Sequence, residues 1–214
     1  MSRYYDFSSI AEASYVDFSK VNITNTDAIK GALQPPAKLE GEFSAKQAAD
    51  FVSKWSVKAH TPNTDNGYSS TVFKKKPEFE SDIEYVLAFR GTEGFFSDDL
   101  WQTDGGDIVA DGLAIWQIVD MYNDVQRLRA ASGTTYSTAT LEFDVLATDR
   151  LSNAAHNPVL YEQVKAELLA RTDLIFDGMA VYNVVLSDVT ATEDGALKDA
   201  ASMKVTGHSL GGHL

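Results

Sequence analysis

The sequence predicts an α/β domain, because its first third has apolar residues at helical spacing and the remainder alternates strand-like with helical segments. Two strand-like segments stand out, at residues 83–89 and 203–206. The chain has 214 residues, of which 44% are hydrophobic and 23% are charged, so it can bury a core of ordinary size. We therefore expect a single domain over residues 1–214, with residues 1–66 mainly helical.

Three N-terminal segments are predicted to be helices. The first covers residues 6–20, and the second covers residues 26–33 and stops before a Pro-Pro pair. The third begins after Ser44, a good N-cap whose capping-box partner is Gln47 three residues on. Its apolar positions recur with helical spacing, as expected for a helix packed on the core: Ala48, Phe51, Val52 and Trp55.

The next segments have strand character. Residues 68–74 alternate, are rich in β-branched side chains and follow an Asn66-Gly67 turn signal. Residues 83–89 form a stronger predicted strand, and the charged, proline-containing segment between the two is typical of a hairpin connection. The longest predicted helix follows at residues 107–129, where apolar residues line one face.

Residues 131–201 are interpreted as an insertion or lid region between this long helix and the last strand. Within them the pattern predicts a strand at 141–146, a helix at 159–170 and a second strand at 179–186. Residues 203–206 (MKVT) are then predicted to be a short, buried strand that leads into a glycine-rich turn.

The charge balance argues against nucleic acid as a partner and against electrostatic anchoring to anionic lipid. The chain carries 18 basic and 31 acidic residues, a net charge of −13, which repels nucleic-acid phosphates and anionic lipid head groups. It has no cysteine, which excludes disulfides, thiolate metal sites and a cysteine nucleophile. No run of eighteen apolar residues occurs, and the N-terminus lacks the apolar core of a secretory signal. We expect export without an N-terminal signal peptide, with a cytoplasmic location as the alternative.

Residues 207–211 (GHSLG) match the G-x-S-x-G pattern, in which a strand turns sharply into a helix and exposes a serine hydroxyl. The residues two before and two after the serine come very close to it, so only small side chains fit, which explains Gly207 and Gly211. The helix that begins after the serine directs backbone N–H groups at the site, and the N–H of Leu210 is placed to stabilise an oxyanion. Ser209 is therefore the candidate nucleophile.

Residues 86–92 (VLAFRGT) form an apolar strand that runs directly into Arg-Gly-Thr. Together with the GHSLGG segment, this strand resembles the class 3 lipase family, whose members have the α/β-hydrolase fold. The resemblance covers residues 69–92 and 204–214. It implies an oxyanion hole formed by Thr92, through its backbone N–H and its hydroxyl, and by the Leu210 N–H.

The family's chain order of serine, acid and histidine places the other two triad members after the elbow. The resemblance therefore implies an α/β-hydrolase fold truncated just after the nucleophile elbow, with N-terminal helices, the insertion described above, and the catalytic Asp and His beyond Leu214. His60 and His156 precede the elbow and are not expected to complete a triad. We expect the 1–214 chain alone to be inactive, and residues 203–206 to border a region of the sheet that this chain does not fill.

The resemblance implies a carboxylic ester hydrolase, either a lipase or a phospholipase A1-type enzyme, that acts through an acyl-enzyme on Ser209. Its expected partners are a lipid or other acyl ester, a transiently contacted lipid surface and the remainder of the protein, whereas nucleic acid is not expected. Hydrolysis of a thioester or peptide stays open. The alternative is a non-catalytic or degenerate α/β-hydrolase-like binding module, or a fragment that is inactive without the missing Asp and His.

Other charged and aromatic segments receive structural interpretations. Residues 94–101 are apolar and aromatic and compete with the insertion as the lid. Arg90 is interpreted as a structural residue that bridges to a nearby carboxylate. Asp104, Asp107 and Asp111 are not spaced as in a calcium loop, and acidic residues near a helix N-terminus explain them more simply. We therefore predict no metal and no cofactor.

Overall fold

The computed structural model describes residues 2–34, 42–77, 85–90 and 115–207. Within them the chain is a mixed α/β protein, which confirms the predicted class at this level. Its helices are α1 (Ser2–Ala13), α2 (Thr26–Ala32), α3 (Ala45–Lys54), α4 (Ile115–Arg129), α5 (Val145–Ala154) and α6 (Pro158–Leu169). Its strands are β1 (Trp55–Thr61), β2 (Ser70–Lys75), β3 (Tyr85–Phe89), β4 (Thr135–Phe143), β5 (Leu174–Asp177), β6 (Ala180–Thr190) and β7 (Met203–Gly207).

The chain forms two compact units. The first consists of residues 1–93, 127–134 and 191–214 and contains a four-stranded sheet in the order β1-β2-β3-β7. The second consists of residues 94–126 and 135–190 and contains a three-stranded sheet in the order β4-β6-β5. All pairs of neighbouring strands are antiparallel except β3 and β7, which are parallel.

Aromatic side chains hold the N-terminal helices on the first sheet. Phe73 of β2 is fully buried, and its ring meets those of Phe18 and Phe51 edge-on, at centroid distances of 6.2 and 5.5 Å. This geometry is favourable because the positive edge of one ring faces the negative face of the other. Among its described residues, the sheet supplies five to this core: Trp55, Val57, Phe73, Val86 and Ala88.

Two features of the first unit, a capping box and a turn, were predicted correctly from short stretches of sequence. The Ser44 hydroxyl accepts from the Gln47 N–H at 3.3 Å, and the Gln47 side chain accepts from the Ser44 N–H at 2.9 Å, so the predicted capping box is confirmed. The turn predicted before β2 is also present, with Gly67 at a φ of 79°, which a residue with a Cβ atom adopts only with strain.

The first predicted helix is wrong at its C-terminal end. It was expected to cover residues 6–20, but α1 ends at Ala13 and a separate 3-10 turn covers Phe18–Lys20. The reason is that the Asp17 side chain accepts a hydrogen bond from the Ser19 N–H at 3.1 Å, and this local bond starts a new turn in place of a continued helix.

Two strand boundaries also differ from the prediction. β1 was not predicted, because Trp55 was assigned to the preceding helix, whereas it is the C-cap of α3 and the first residue of a strand. The strand predicted at residues 141–146 ends at Phe143, since the Asp144 side chain accepts from the Ala147 N–H at 2.9 Å and caps α5.

The second unit builds a small core on one face of its sheet. Val181 of β6 is fully buried and packs with side chains of α5 and α6: Ala147, Leu151, Ala154, Val164 and Leu168. The outer edge of β4 is covered by Asn123 of α4. Its amide accepts from the Ala139 N–H at 2.6 Å and donates to the Ala139 carbonyl at 2.9 Å, as a neighbouring strand would, and so protects an edge that would otherwise pair with other chains.

The segment that leads into β7 is held against the end of α4. The Gly195 N–H donates to the Ala130 carbonyl, and the Leu197 N–H donates to the Leu128 carbonyl, both at 2.8 Å. A Cβ atom on Gly195 would overlap the Leu128 carbonyl, so the close approach of the two backbones requires glycine.

This contact predicts opposite effects for two glycine substitutions. Gly195→Ala should lower the free energy of unfolding by about 1–3 kcal/mol because the backbones must separate. Gly31→Ala, in α2 with no atom within 4 Å of the new methyl group, should raise it by about 0.5–1 kcal/mol through helix propensity. Urea unfolding of both variants tests the pair, and equal stability of the Gly195→Ala variant and the parent would contradict the close approach.

Candidate functional site

The candidate site lies at the carboxyl ends of β3 and β7. These two strands are parallel neighbours, and Phe89, the last residue of β3, is paired with Gly207, the last residue of β7. The carboxyl ends of parallel strands are where α/β folds place their ligand sites. Arg90 and Gly207 are described at this end of the sheet, whereas residues 91–92 and 208–211, which complete the two motifs, lie outside the described residues.

Of the site residues predicted from the sequence, the structure describes Gly207 alone, at the end of β7. Thr92, Ser209, Leu210 and Gly211 lie outside the described residues. The predicted β7 strand is confirmed, and its residues start and stop within one position of the prediction.

The end of β3 is fixed from both sides. The Arg90 N–H donates to the Ser69 carbonyl at 3.0 Å, which extends the pairing with the chain before β2 by one residue. The Ser14 hydroxyl, just after α1, donates to the Ala11 carbonyl at 2.6 Å and lies 3.3 Å from the Phe89 carbonyl. Ser14 is buried, so this polar contact ties α1 to the strand end in a setting where it is not weakened by water.

β7 is less covered than its neighbour. All five residues of β3 are buried, whereas those of β7 are half-buried or exposed, and Val205 is 52% exposed. Among the described strands β7 forms one edge of the sheet. The expectation that β7 is buried is therefore wrong, while the expectation that it borders a region of the sheet that this chain does not fill stays a prediction. The physical reason is that β3 has a paired strand on both sides and helices over its face, while β7 has a described partner on one side.

A row of paired residues, most of them polar, crosses the sheet one position before the carboxyl ends of β3 and β7. His60 of β1 is paired with Thr71 of β2, Thr71 with Ala88, and Ala88 with Thr206. The His60 Nδ1 lies 2.8 Å from the Thr71 hydroxyl, and its Nε2 lies 3.5 Å from an Asp17 carboxylate oxygen. The Phe18 ring meets the imidazole edge-on at 5.8 Å. His60 is thus contacted by residues from two other parts of the chain, the turn at 17–20 and β2.

Burial and charge set the protonation of this cluster. Burial lowers the pKa of His60 and outweighs the opposing effect of the Asp17 carboxylate, while the positive charge of Arg90 lowers it further. For Asp17, partial burial acts to raise the pKa, but the hydrogen bonds from Lys20 and Ser19 together lower it to about 2. The pair is therefore a neutral imidazole beside an ionised carboxylate.

The cluster has the composition of a hydrolytic triad but not its accessibility. Thr71 is completely buried and the His60 side chain is 3% exposed, so no substrate carbonyl can approach the Thr71 hydroxyl. β1 and β7 are separated by three strand spacings, about 14 Å. Nδ1 is hydrogen-bonded to Thr71, and Nε2 lies beside the Asp17 carboxylate without a hydrogen bond among the described residues. That His60 is not the base for Ser209 stays a prediction, because Ser209 lies outside the described residues.

The remaining candidates are placed as follows. His156 is exposed beside Asn157, which caps α6 through its side chain. Arg90 is half-buried at the site edge, and the aspartates at 104, 107 and 111 and the aromatic segment 94–101 lie outside the described residues. In the part of the chain that the structure describes, no group of three metal-ligating side chains converges. None of the described helices is long and apolar enough to cross a membrane.

No sequence signal indicated the Asp17–His60 contact, because the contact joins distant segments that share no motif. The alternation of Trp55, Val57 and Ala59 was a usable signal for β1.

The chain matches no protein-family model, no curated protein sequence and no solved structure.

The His60 environment predicts how stability depends on pH. The folded protein lowers the pKa of His60 below its ordinary value of 6.5, so below that pH the unfolded chain binds more protons and stability falls. His60→Gln should therefore lose less of its free energy of unfolding between pH 7.5 and 5.5 than the parent does. Urea unfolding at both pH values measures the difference.

The exposed His156 is the matched control. His156→Gln should show the same pH dependence as the parent. An identical loss of stability in the parent and in His60→Gln would show that His60 does not stay neutral in the folded protein.

Proposed function

We propose that this chain carries the nucleophile elbow and the oxyanion strand of a serine ester hydrolase with an α/β-hydrolase fold, similar to the class 3 lipases. One observation supports the proposal most: β3 and β7 are adjacent, parallel and end in the same register, at the Phe89–Gly207 pair. A serine after one strand and an oxyanion donor after its neighbour need this arrangement, because both must reach one carbonyl group.

The chain lengths beyond the strands fit this requirement. Thr92 follows Phe89 by three residues, and Ser209 follows Gly207 by two. Since a residue spans at most about 3.6 Å of extended chain, each stays within about 11 Å of the paired strand ends. The strands themselves lie about 4.8 Å apart. The chain lengths therefore allow Thr92 and Ser209 to reach one region next to the carboxyl ends of β3 and β7, as the proposal requires.

The proposed reaction is acyl transfer. Ser209 attacks the ester carbonyl, a histidine takes the serine proton, and the tetrahedral oxyanion accepts hydrogen bonds from the Thr92 and Leu210 N–H groups. The alcohol leaves with the proton, and water then hydrolyses the acyl-enzyme to a carboxylic acid. Because His60 is engaged by Asp17 and Thr71, the proposal takes the base and its acid from outside the described residues.

The net charge of the chain narrows the class of acyl esters that we propose as substrates. A net charge of −13 repels anionic head groups over a distance of about one Debye length, roughly 8 Å at physiological salt. Uncharged or zwitterionic acyl esters are therefore favoured over strongly anionic ones. The proposal is a lipase or phospholipase A1-type activity on such esters.

The nucleophile can be tested directly in the complete protein. A fluorophosphonate probe should label Ser209, as mapped by peptide mass spectrometry, because such probes react with activated serines. Ser209→Ala should abolish labelling and lower the turnover of a short p-nitrophenyl ester by about 10⁴-fold or more. Ser69→Ala, a serine close to the same edge but outside the motif, is the control and should still be labelled at Ser209.

Two outcomes would decide against catalysis by Ser209. Undiminished turnover in Ser209→Ala would remove it as the nucleophile. No labelling and no turnover in the folded parent would favour the alternative, a non-catalytic binding module with a hydrolase-like sheet.

The oxyanion role of Thr92 predicts a graded series. Thr92→Ala retains the backbone N–H and loses the hydroxyl, so kcat should fall by roughly 10- to 10³-fold as oxyanion stabilisation weakens. Thr92→Ser retains the hydroxyl and should keep most of the activity. Steady-state kinetics separates the cases, and an unchanged kcat in Thr92→Ala would exclude a part for the hydroxyl.

A further inference from the structure

A pocket of about 340 Å³ opens at the outer edge of β1, the opposite edge of the sheet from β7. Its volume is at the lower end of the range of small-molecule sites, about 300–1,000 Å³. The wall on one side comes from the start of α2 and the chain before it, and the other from α3, β1 and the residue after β2. The lining residues are Ile23, Thr24, Thr26, Ile29, Val52, Trp55, Ser56, Val57, Lys58 and Lys76.

The floor of this β1-edge pocket is apolar. Ile29, Val52, Trp55 and Val57 line it and are each at least 94% buried, so they belong to the packed core and present fixed surfaces. An alkyl chain that covers such a floor removes apolar area from water, at roughly 25 cal/mol per Å². The floor therefore favours a ligand with an aliphatic part.

Among the described residues that line the pocket, two are charged, and both are lysines. Lys58 is exposed and lies at a β-bulge, where the pairing with β2 shifts between Val57 and Ala59. A bulge turns the extra side chain away from the regular alternation, and here Lys58 borders the pocket. Lys76 donates from its ammonium to the Val52 carbonyl at 2.7 Å, which holds the group in place without exhausting its three N–H donors.

We propose that the β1-edge pocket binds an amphiphilic anion, a short alkyl chain that ends in a carboxylate or phosphate. The alkyl chain lies on the floor formed by Trp55 and Val57, and the head group is paired with Lys58 and Lys76. Charge complementarity supports an anionic head group: in a chain of net charge −13, the charged side chains that line this pocket among the described residues are both positive.

A simpler explanation of Lys58 is protection of the sheet edge. A charged side chain and a bulge on an edge strand both prevent pairing with another chain. That explanation accounts for Lys58 but not for Lys76, which follows β2, nor for the apolar volume between them. The two explanations differ in what removal of the Lys58 charge does to ligand binding and to self-association.

Trp55 provides a direct reporter in the pocket. The chain has three tryptophans, so a variant with Trp101→Phe and Trp116→Phe leaves Trp55 as the sole tryptophan, which is excited selectively at about 295 nm or above. Octanoate with a terminal bromine should quench its fluorescence with saturation, since bromine quenches at close range. The matching brominated octanol, which has no charge, should bind about tenfold more weakly because it loses both lysine contacts.

Substitutions then separate the charge from the cavity. Lys58→Gln should weaken binding of the octanoate about two- to fivefold, the scale of a solvent-exposed ion pair. Lys46→Gln, an exposed lysine of α3 that does not line the pocket, is the matched control and should bind as the parent does. Thr26→Phe, at an exposed position that does line the pocket, should fill it and abolish saturation without disturbing the fold.

Competition identifies the head group. If octanoate and octyl phosphate both displace the brominated octanoate, the site recognises negative charge. If octanoate alone displaces it, the site recognises the carboxylate. Either result supports the site. Equal affinity for the brominated acid and alcohol would overturn the proposal. So would unchanged quenching in both Lys58→Gln and Thr26→Phe, or self-association of Lys58→Gln in sedimentation with no change in binding. Because the readout is binding, neither result depends on the proposed esterase activity.

Discussion

The parallel pairing of β3 with β7 is the constraint on which the rest of the structure depends. Parallel neighbours cannot be joined by a tight turn and need a long crossover connection. Here the connection is residues 90–202, and it contains α4 and the whole three-stranded sheet. The chain returns to the first sheet by backbone hydrogen bonds of Gly195 and Leu197 to the end of α4. The candidate site is therefore set by a contact between residues more than a hundred positions apart.

The two edges of the first sheet are treated differently. At β1 the chain places a bulge, a lysine and the loop before α2, which together protect the edge and enclose an apolar pocket. At β7 the described residues leave Val205 half-exposed. Between them the buried His60 is hydrogen-bonded to Thr71 through Nδ1, and the Asp17 carboxylate lies beside Nε2. Polar side chains inside this sheet thus serve its packing, and chemistry is proposed at its carboxyl edge.

Sequence reasoning succeeded where a short segment carries its own physical signal. The Ser44–Gln47 capping box, the Gly67 turn and the strands β2, β3 and β7 each depend on residues within a few positions of one another. It failed at β1, because the apolar spacing of Phe51, Val52 and Trp55 fits a helix, while the continuation through Val57 and Ala59 alternates as a strand does. The segment forms a strand because it pairs with β2, whose residues lie outside the short stretch of sequence over which a periodicity is counted.

By itself the sequence determined the α/β class, the elbow pattern at residues 207–211 and the Arg-Gly-Thr segment after β3, since steric demands on glycine and strand propensity act locally. The tertiary structure decided that the strands before these two segments are parallel neighbours in register. It also decided that Asp17 meets His60 and that Lys58 and Lys76 border one pocket. These are contacts between distant segments, and they form because burying the apolar faces of helices and strands brings the segments together, which no local pattern encodes.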